Sequence, residues 1–212
     1  VINNALRKFI MQRHFLETLG WVEDCMPQRM LRSLQTWCNA QIAQNFAGLQ
    51  SRRQGLVGQI EHEYDVPWAT WMSIEPWIMK LVQSYADPEL TPNFEGCRTR
   101  TGLQPWINFA KPGEYNPLHV HEGSLSWVLW INIPPQKRPV ADSVLEGQVR
   151  NRSYFGFVWA STRNGLGLAQ RALDVDSDWM GRCIVFPSCL SHHVQPASHE
   201  AGYRISMAGN VW

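Results

Sequence analysis

A chain of 212 residues has room for one domain with a sizeable core, or for a core domain with a helical extension. Its 19 Lys and Arg are matched by 18 Asp and Glu, which removes the electrostatic case for nucleic acid or an acidic membrane surface as partner. No apolar run reaches the roughly eighteen residues of a membrane span, and no secretion signal is visible.

Residues 1–95 are expected to form a mostly helical N-terminal part. Over 31–46, Leu31, Leu34, Trp37, Cys38, Ile42 and Phe46 fall near helical spacing. Residues 69–85 continue in that style, and Pro76 suits the first turn of a new helix. Residues 50–68 are polar with glycines, which predicts a loop. Two prolines and an asparagine between Asp87 and Gly96 suit a connector.

From Arg98 the period changes. Residues 104–110, 124–133, 153–159, 182–186 and 203–208 are rich in β-formers and separated by Gly, Pro, Asn and Asp. Short strands without alternating helices predict an antiparallel sandwich or barrel over 96–212, with the N-terminal helices packed outside the sheet, an α+β chain. Eleven tryptophans, among them Trp106, Trp127 and Trp130, suit the interior of such a fold better than substrate stacking. The five cysteines, Cys25, Cys38, Cys97, Cys183 and Cys189, form no CxxC pair. An odd, scattered set points to reduced thiols and a cytoplasmic, intracellular protein.

The chemistry concentrates in three places. His119 and His121 are two residues apart, so on a strand they share a face. His192 follows about seventy residues later, in Phe186-Pro-Ser-Cys-Leu-Ser-His192. Three imidazoles can hold Fe(II), Zn, Cu or Ni and leave positions open for chemistry. Glu122 competes with His121 for the third ligand position, but reaches it only through a bulge or the turn at Gly123. Cys189 is expected to be a small buried residue near this site and His193 a neighbour on the opposite face. His14, His62 and His199 have no partner pattern and read as structural.

Arg204 stands in the apolar run Arg204-Ile-Ser-Met-Ala208, where an inward-facing free charge is costly. Its planar guanidinium matches a carboxylate, and Ser206 faces the same way. The competing assignment is a solvent-facing Arg, or an ion pair with an acid such as Glu114. Asn108 and Asn132, on flanking strands, can each offer an amide to the same small molecule.

These residues carry a resemblance. Trp106-Ile-Asn108, Lys111-Pro-Gly113, Asn116-Pro-Leu-His119-Val-His121, Phe186-Pro-Ser-Cys-Leu-Ser-His192-His-Val-Gln-Pro196 and Arg204-Ile-Ser-Met-Ala-Gly-Asn210 occur in order. Together they resemble the Fe(II)- and 2-oxoglutarate-dependent dioxygenases, and among them a bacterial and phage branch that is loosely prolyl-hydroxylase-like. The resemblance implies a double-stranded β-helix (a jelly roll, cupin-like) over 96–212. It implies iron held by His119, His192 and the residue at position 121, and 2-oxoglutarate anchored by Arg204 and Ser206, with O2 as the further co-substrate. It also implies hydroxylation of a C–H bond with release of succinate and CO2. His121 stands where the wider superfamily has a carboxylate. The Arg138–Asn151 insert and the segment after Thr162 with Gly165 and Gly167 read as lid or substrate loops.

Two other assignments compete. A cupin-like three-histidine metalloprotein shares the spacing, but it would usually carry a Glu four or five residues after the second histidine, where this chain has Leu125 and Ser126, and it would have no use for Arg204. A non-catalytic structural protein, such as a virion component, would retain the fold alone. The expected partner is a small-molecule or peptide substrate, with no membrane and no nucleic acid. Exposed edge strands leave an oligomer open.

Overall fold

The computed structural model describes residues 12–16, 19–85, 105–135, 154–161, 167–196, 199 and 201–212. The predicted connector, Cys97, the Arg138–Asn151 insert and Gly165 lie outside these residues.

The elements run β1 (Gln12–Leu16), β2 (Leu19–Cys25), α1 (Gln28–Ala43), β3 (Glu63–Asp65), α2 (Trp68–Tyr85) and β4 (Trp106–Ala110). They continue with β5 (Asn116–His119), β6 (Leu125–Asn132), β7 (Tyr154–Ser161), β8 (Gly167–Asp174), β9 (Arg182–Pro187), β10 (Ser191–Val194) and β11 (Arg204–Val211). Among the described residues the strands form two antiparallel sheets. The larger has the order β1-β2-β9-β6-β11-β4-β3 and the smaller β5-β10-β7-β8. The predicted β-rich half is therefore present, and both helices pack outside the larger sheet.

Period-two alternation explains how the central strands serve three layers. On β6, Leu125, Trp127, Leu129 and Ile131 join the core under the helices, while Trp130 joins the core between the sheets. On β9, Cys183 and Val185 face the helices, and Ile184 and Phe186 face the smaller sheet. α1 contributes Leu31, Leu34 and Cys38 to the outer core, and α2 contributes Trp71, Ile74, Ile78, Leu81 and Val82. Gln35 Nε2 donates to the Ile131 carbonyl (2.9 Å), tying α1 to β6.

The alternation on β11 has a tight point. Ile205, Met207 and Val211 face the helical layer, and between them Gly209 lies against the Trp127 ring. A Cβ at Gly209 would stand 2.8 Å from three indole atoms, and that indole is itself stacked on Trp71 at 5.6 Å. Gly209→Ala is expected to cost about 1–3 kcal/mol of stability through overpacking. A thermal melt checks this, and an unchanged midpoint would mean the indole moves freely.

Three expectations need correction. Among the described residues before 26, the N-terminal part is strand rather than helix: β1 and β2 extend the larger sheet. Trp21 enters the inter-sheet core, Val22 enters the helical-side core, and Glu23 pairs with Arg182 of β9 at 2.6 Å. That pairing partner is remote in sequence, so local pattern does not reveal it. Pro76 starts no new helix; it lies inside α2. The lost N–H bond is offset by Ile74 and Ile78, buried on either side of it. Gly167 opens no loop, because β8 pairs with β7 over eight residues from Ser161↔Gly167 to Tyr154↔Asp174.

Candidate metal centre

The two sheets enclose a cavity of about 360 Å³. One wall is the inner face of the larger sheet, with Trp106 and Asn108 from β4, Trp130 from β6, and Arg204, Ser206 and Asn210 from β11. The other wall carries the histidines. The segment Arg52–Ile60, predicted as a plain loop, forms a side of the cavity through Arg52, Leu56, Val57 and Ile60.

His119 and His192 are directly opposed across the antiparallel pair β5–β10. Ring centroids are 4.3 Å apart for that pair, 4.8 Å for His119–His121 and 5.0 Å for His121–His192. One nitrogen of each ring lies within 4.8 Å of the others. Metal–nitrogen bonds of about 2.1 Å would need only a modest ring adjustment. β5 ends at His119, so His121 is placed by its turn rather than by a continuing strand: its backbone N–H donates to the Ser188 carbonyl at 3.0 Å. Gly123, at φ +93°, lets that turn pass close to the Val211 carbonyl, which a Cβ would meet at 2.8 Å.

The rings are prepared as neutral ligands. His119 Nδ1 donates to the Pro117 carbonyl (2.6 Å) and His192 Nδ1 to the Leu190 carbonyl (2.9 Å). A carbonyl only accepts, so Nδ1 carries the proton and Nε2 keeps its lone pair. Burial lowers the pKa of all three. His121 is pushed down to about 4, with the His119 charge adding to burial, and His192 is held well below its ordinary value. Such rings are uncharged at neutral pH and need lose no proton to bind a cation. The donor set and its tautomers thus fit a divalent first-row metal.

The remaining candidates fall as follows. Glu122 is exposed at the rim of the same cavity. Cys189 is exposed, not buried as expected. His193 turns away and contacts Gln170 (3.3 Å) and Gln195 (3.1 Å). His14 contacts Glu23, His62 contacts Tyr64, and His199 meets the Gly202 carbonyl.

Arg204 is buried, which removes the solvent-facing assignment. Its Nη1 donates to the Gln195 carbonyl at 3.1 Å, and no described carboxylate pairs with it. Glu114 is committed elsewhere, accepting from the backbone N–H groups of Lys111 (2.7 Å) and Glu61 (3.0 Å). Burial pushes the Arg204 guanidinium down to about 10. Ser206 stands two residues along on the same face, opposite Asn108 across the β11–β4 pair. Asn108 is buried and its Oδ1 has no partner among the described residues. Asn132 is excluded, because its Nδ2 donates to the Tyr203 carbonyl (2.9 Å) and it does not line the cavity.

Sequence reasoning missed two residues of this region. Asn210 ends the row Arg204, Ser206, Ala208, Asn210, and its Oδ1 accepts from Ser126 Oγ (3.0 Å), which also contacts Ser188 Oγ (2.9 Å). The alternation on β11 could have found it. Glu63, on β3, is fully buried with both carboxyl oxygens unpartnered among the described residues. Nothing in its local sequence marks it.

Burial, reinforced by the Glu114 charge and opposed by Arg53, raises the Glu63 carboxyl from 4.5 to about 7. The folded state therefore holds this proton more tightly than the unfolded state. The stabilisation is complete below the unfolded value and is lost as pH rises through about 7. Glu63→Gln cannot ionise, so it is expected to be the more stable protein by about 2 kcal/mol near pH 8, with no gain near pH 4. Denaturant titrations at both pH values check this, and a difference independent of pH would contradict it.

Residues 104–210 match the model of the family described as "Putative 2OG-Fe(II) oxygenase". A Pseudomonas putida prolyl-4-hydroxylase aligns over 90% of this chain and 91% of its own, with a TM-score of 0.54 and 16% identity. A prolyl hydroxylase from Trichoplax adhaerens, solved in complex with a peptide fragment of the hypoxia inducible factor oxygen degradation domain, aligns over 90% of this chain and 81% of its own, with a TM-score of 0.54 and 11% identity. These identities speak for the fold, a prolyl-hydroxylase-like double-stranded β-helix. No curated protein matches the sequence. With half of its length in the family match and the family's fold around the three histidines, the chain belongs to the 2-oxoglutarate- and Fe(II)-dependent oxygenases.

Proposed function

We propose that this enzyme hydroxylates a C–H bond of a small-molecule or peptide substrate, with His119, His121 and His192 holding Fe(II) and Arg204, Ser206 and Asn108 holding 2-oxoglutarate. The observation that carries the reading is the pairing of three clustered neutral imidazoles with a buried guanidinium in one cavity that forms no ion pair with a described carboxylate. When bound, Fe(II) supplies the oxidising chemistry that uses O2 and 2-oxoglutarate and leaves succinate and CO2.

The chain's own residues do the rest. The Nδ1–H bonds of His119 and His192 fix ring orientation and keep Nε2 available as a donor. Arg204 supplies the charge and the forked geometry for the distal carboxylate of 2-oxoglutarate, and the Ser206 hydroxyl adds a hydrogen bond from the same face. The bond from Arg204 to the Gln195 carbonyl holds the guanidinium before the ligand arrives. Phe155 and Trp130 give this interior apolar walls that limit water. Leu118, Val120 and Val57 leave exposed apolar surface on the enzyme's outside, with Val57 and Val120 also lining the cavity, where a substrate approaches.

No described helix is long and apolar enough to cross a membrane. The test is to load the purified protein anaerobically with Fe(II) and titrate 2-oxoglutarate. A visible metal-to-ligand charge-transfer band is expected. Metal binding without such a band would favour a three-histidine centre of the cupin kind, and absence of metal binding would sink the reading.

A further inference from the structure

Next to the cavity wall lies a second buried ionisable group without a partner among the described residues. Glu63 of β3 is opposite Asn108 of β4, Asn108 is opposite Ser206 of β11, and Ser206 is opposite Trp130 of β6. Directly opposed residues of antiparallel strands project to one face. Asn108, Ser206 and Trp130 all line the cavity, and Glu63 extends their row by one position, behind Gly58 and outside the lining itself.

Glu63 is 0% exposed, and neither carboxyl oxygen meets a donor among the described residues. Asn108 Oδ1 beside it is in the same condition. Three buried acceptor atoms on two opposed side chains thus lack donors, a costly arrangement when nothing else supplies them. No described Lys, Arg or His forms an ion pair with Glu63; Arg53 acts on it only as a more distant charge.

What covers the carboxyl is backbone. A Cβ at Gly58 would stand 2.5 Å from Glu63 Oε1 and 3.0 Å from Asn116 Nδ2, and Asn116 also lines the cavity. The covering stretch is exposed at Arg53, Gln54, Gly55 and Val57. Backbone bonds hold it on either side of Gly58: Gly55 N–H to the Arg52 carbonyl (2.9 Å) and Gln59 N–H to the Tyr115 carbonyl (2.8 Å). Between those bonds, neither Gly58 nor its exposed neighbours Val57 and Gln59 place a side chain in a core.

We infer that Glu63 and the Oδ1 of Asn108, whose amide NH2 is left to face 2-oxoglutarate, form a cation subsite that takes an ammonium or guanidinium group of the primary substrate, entering as the Gly58 segment moves aside. The inference rests on the oxygenase reading for the reaction, but not for the binding. An ammonium brings three donors and a guanidinium five, which suits three unpaired acceptors. Arg204 and Glu63 then divide the cavity: the cation for the co-substrate's carboxylate, the anion for the substrate's basic group.

The test uses the full chain loaded anaerobically with Fe(II) and 2-oxoglutarate at about pH 8, above the value near which the Glu63 carboxyl titrates. Calorimetric titrations compare Nα-acetyl-lysine amide and Nα-acetyl-arginine amide with Nα-acetyl-norleucine amide, which has no charge. At least one cationic probe is expected to bind about tenfold or more tighter than the neutral probe. Glu63→Gln is expected to abolish that preference, and Gly58→Ala, which sets a methyl group against Oε1, to weaken it. Equal affinity for charged and neutral probes, no binding of either cation, or a preference that survives in Glu63→Gln would overturn the subsite. That last outcome, or the second, would leave Glu63 as a protonated partner of Asn108 with a structural role. The 2-oxoglutarate titration on the same samples is read separately: its failure in wild-type protein counts against the oxygenase reading, whereas its success together with probe failure counts against the cation subsite alone.

Discussion

Arg204→Ala is expected to weaken 2-oxoglutarate binding by at least about 100-fold while leaving metal affinity unchanged, since truncating one side of a buried charge pair costs about 3 kcal/mol or more. Arg204 is buried with one carbonyl contact and no ion-paired acid among the described residues, Glu114 acting on it only through space, so its removal abolishes a desolvated cation rather than an ion pair. The melting temperature without ligand should hold or rise. The rise in melting temperature that saturating 2-oxoglutarate gives the wild type should vanish, because ligand stabilisation scales with the logarithm of occupancy. Arg204→Lys should recover part of the affinity, as a point charge without the planar fork. Undiminished 2-oxoglutarate affinity in Arg204→Ala would move the anchor elsewhere in the cavity.

The second large effect is on the metal. His192→Ala is expected to lower Fe(II) affinity by more than about 100-fold, beyond the 10–100-fold typical of losing a residue that only orients a ligand. His192 is the deepest of the three rings, packed on Phe155 at 5.4 Å and against Phe186 at 4.8 Å. Some stability loss accompanies the substitution, so the adjacent His193→Ala serves as control: its ring contacts Gln170 and Gln195 outside the triad. Competition with a chelator reads both. His121→Asp should retain metal, since a carboxylate there restores the arrangement of two histidines and one acid found in non-haem iron oxygenases. Equal losses in His192→Ala and His193→Ala would show that the effect is on folding rather than on ligation.

The residues that declared themselves in the sequence did so because their environment is close to periodic. β4, β6, β9 and β11 lie between two apolar layers, so their runs are nearly continuous in large side chains, as a strand covered on both faces must be. Arg204 and Ser206 stood out as polar exceptions two apart within such a run, and the histidines by the same spacing. β8 did not, because it is an edge strand with much of its surface exposed; Leu168, its most conspicuous apolar residue, is 82% exposed. β2 is held by Glu23 and Arg182, whose partnership joins distant parts of the chain. Glu63 comes to stand beside the cavity only because β3 pairs with β4, a relation that no local pattern contains.

The same pairing bears on how the protein can be handled. The family match begins at residue 104, but the larger sheet does not end where that match does. A fragment starting there would lose β1 and β2 from one flank and β3 from the other, baring β9 and β4 as new edges. It would also lose both helices and uncover Trp127, Leu129, Ile107 and Val185. Two long unprotected edges beside an apolar face are a template for strand addition between copies. Such a fragment, however complete its histidines and its arginine, should be recovered as aggregate, and a soluble preparation has to carry the N-terminal half.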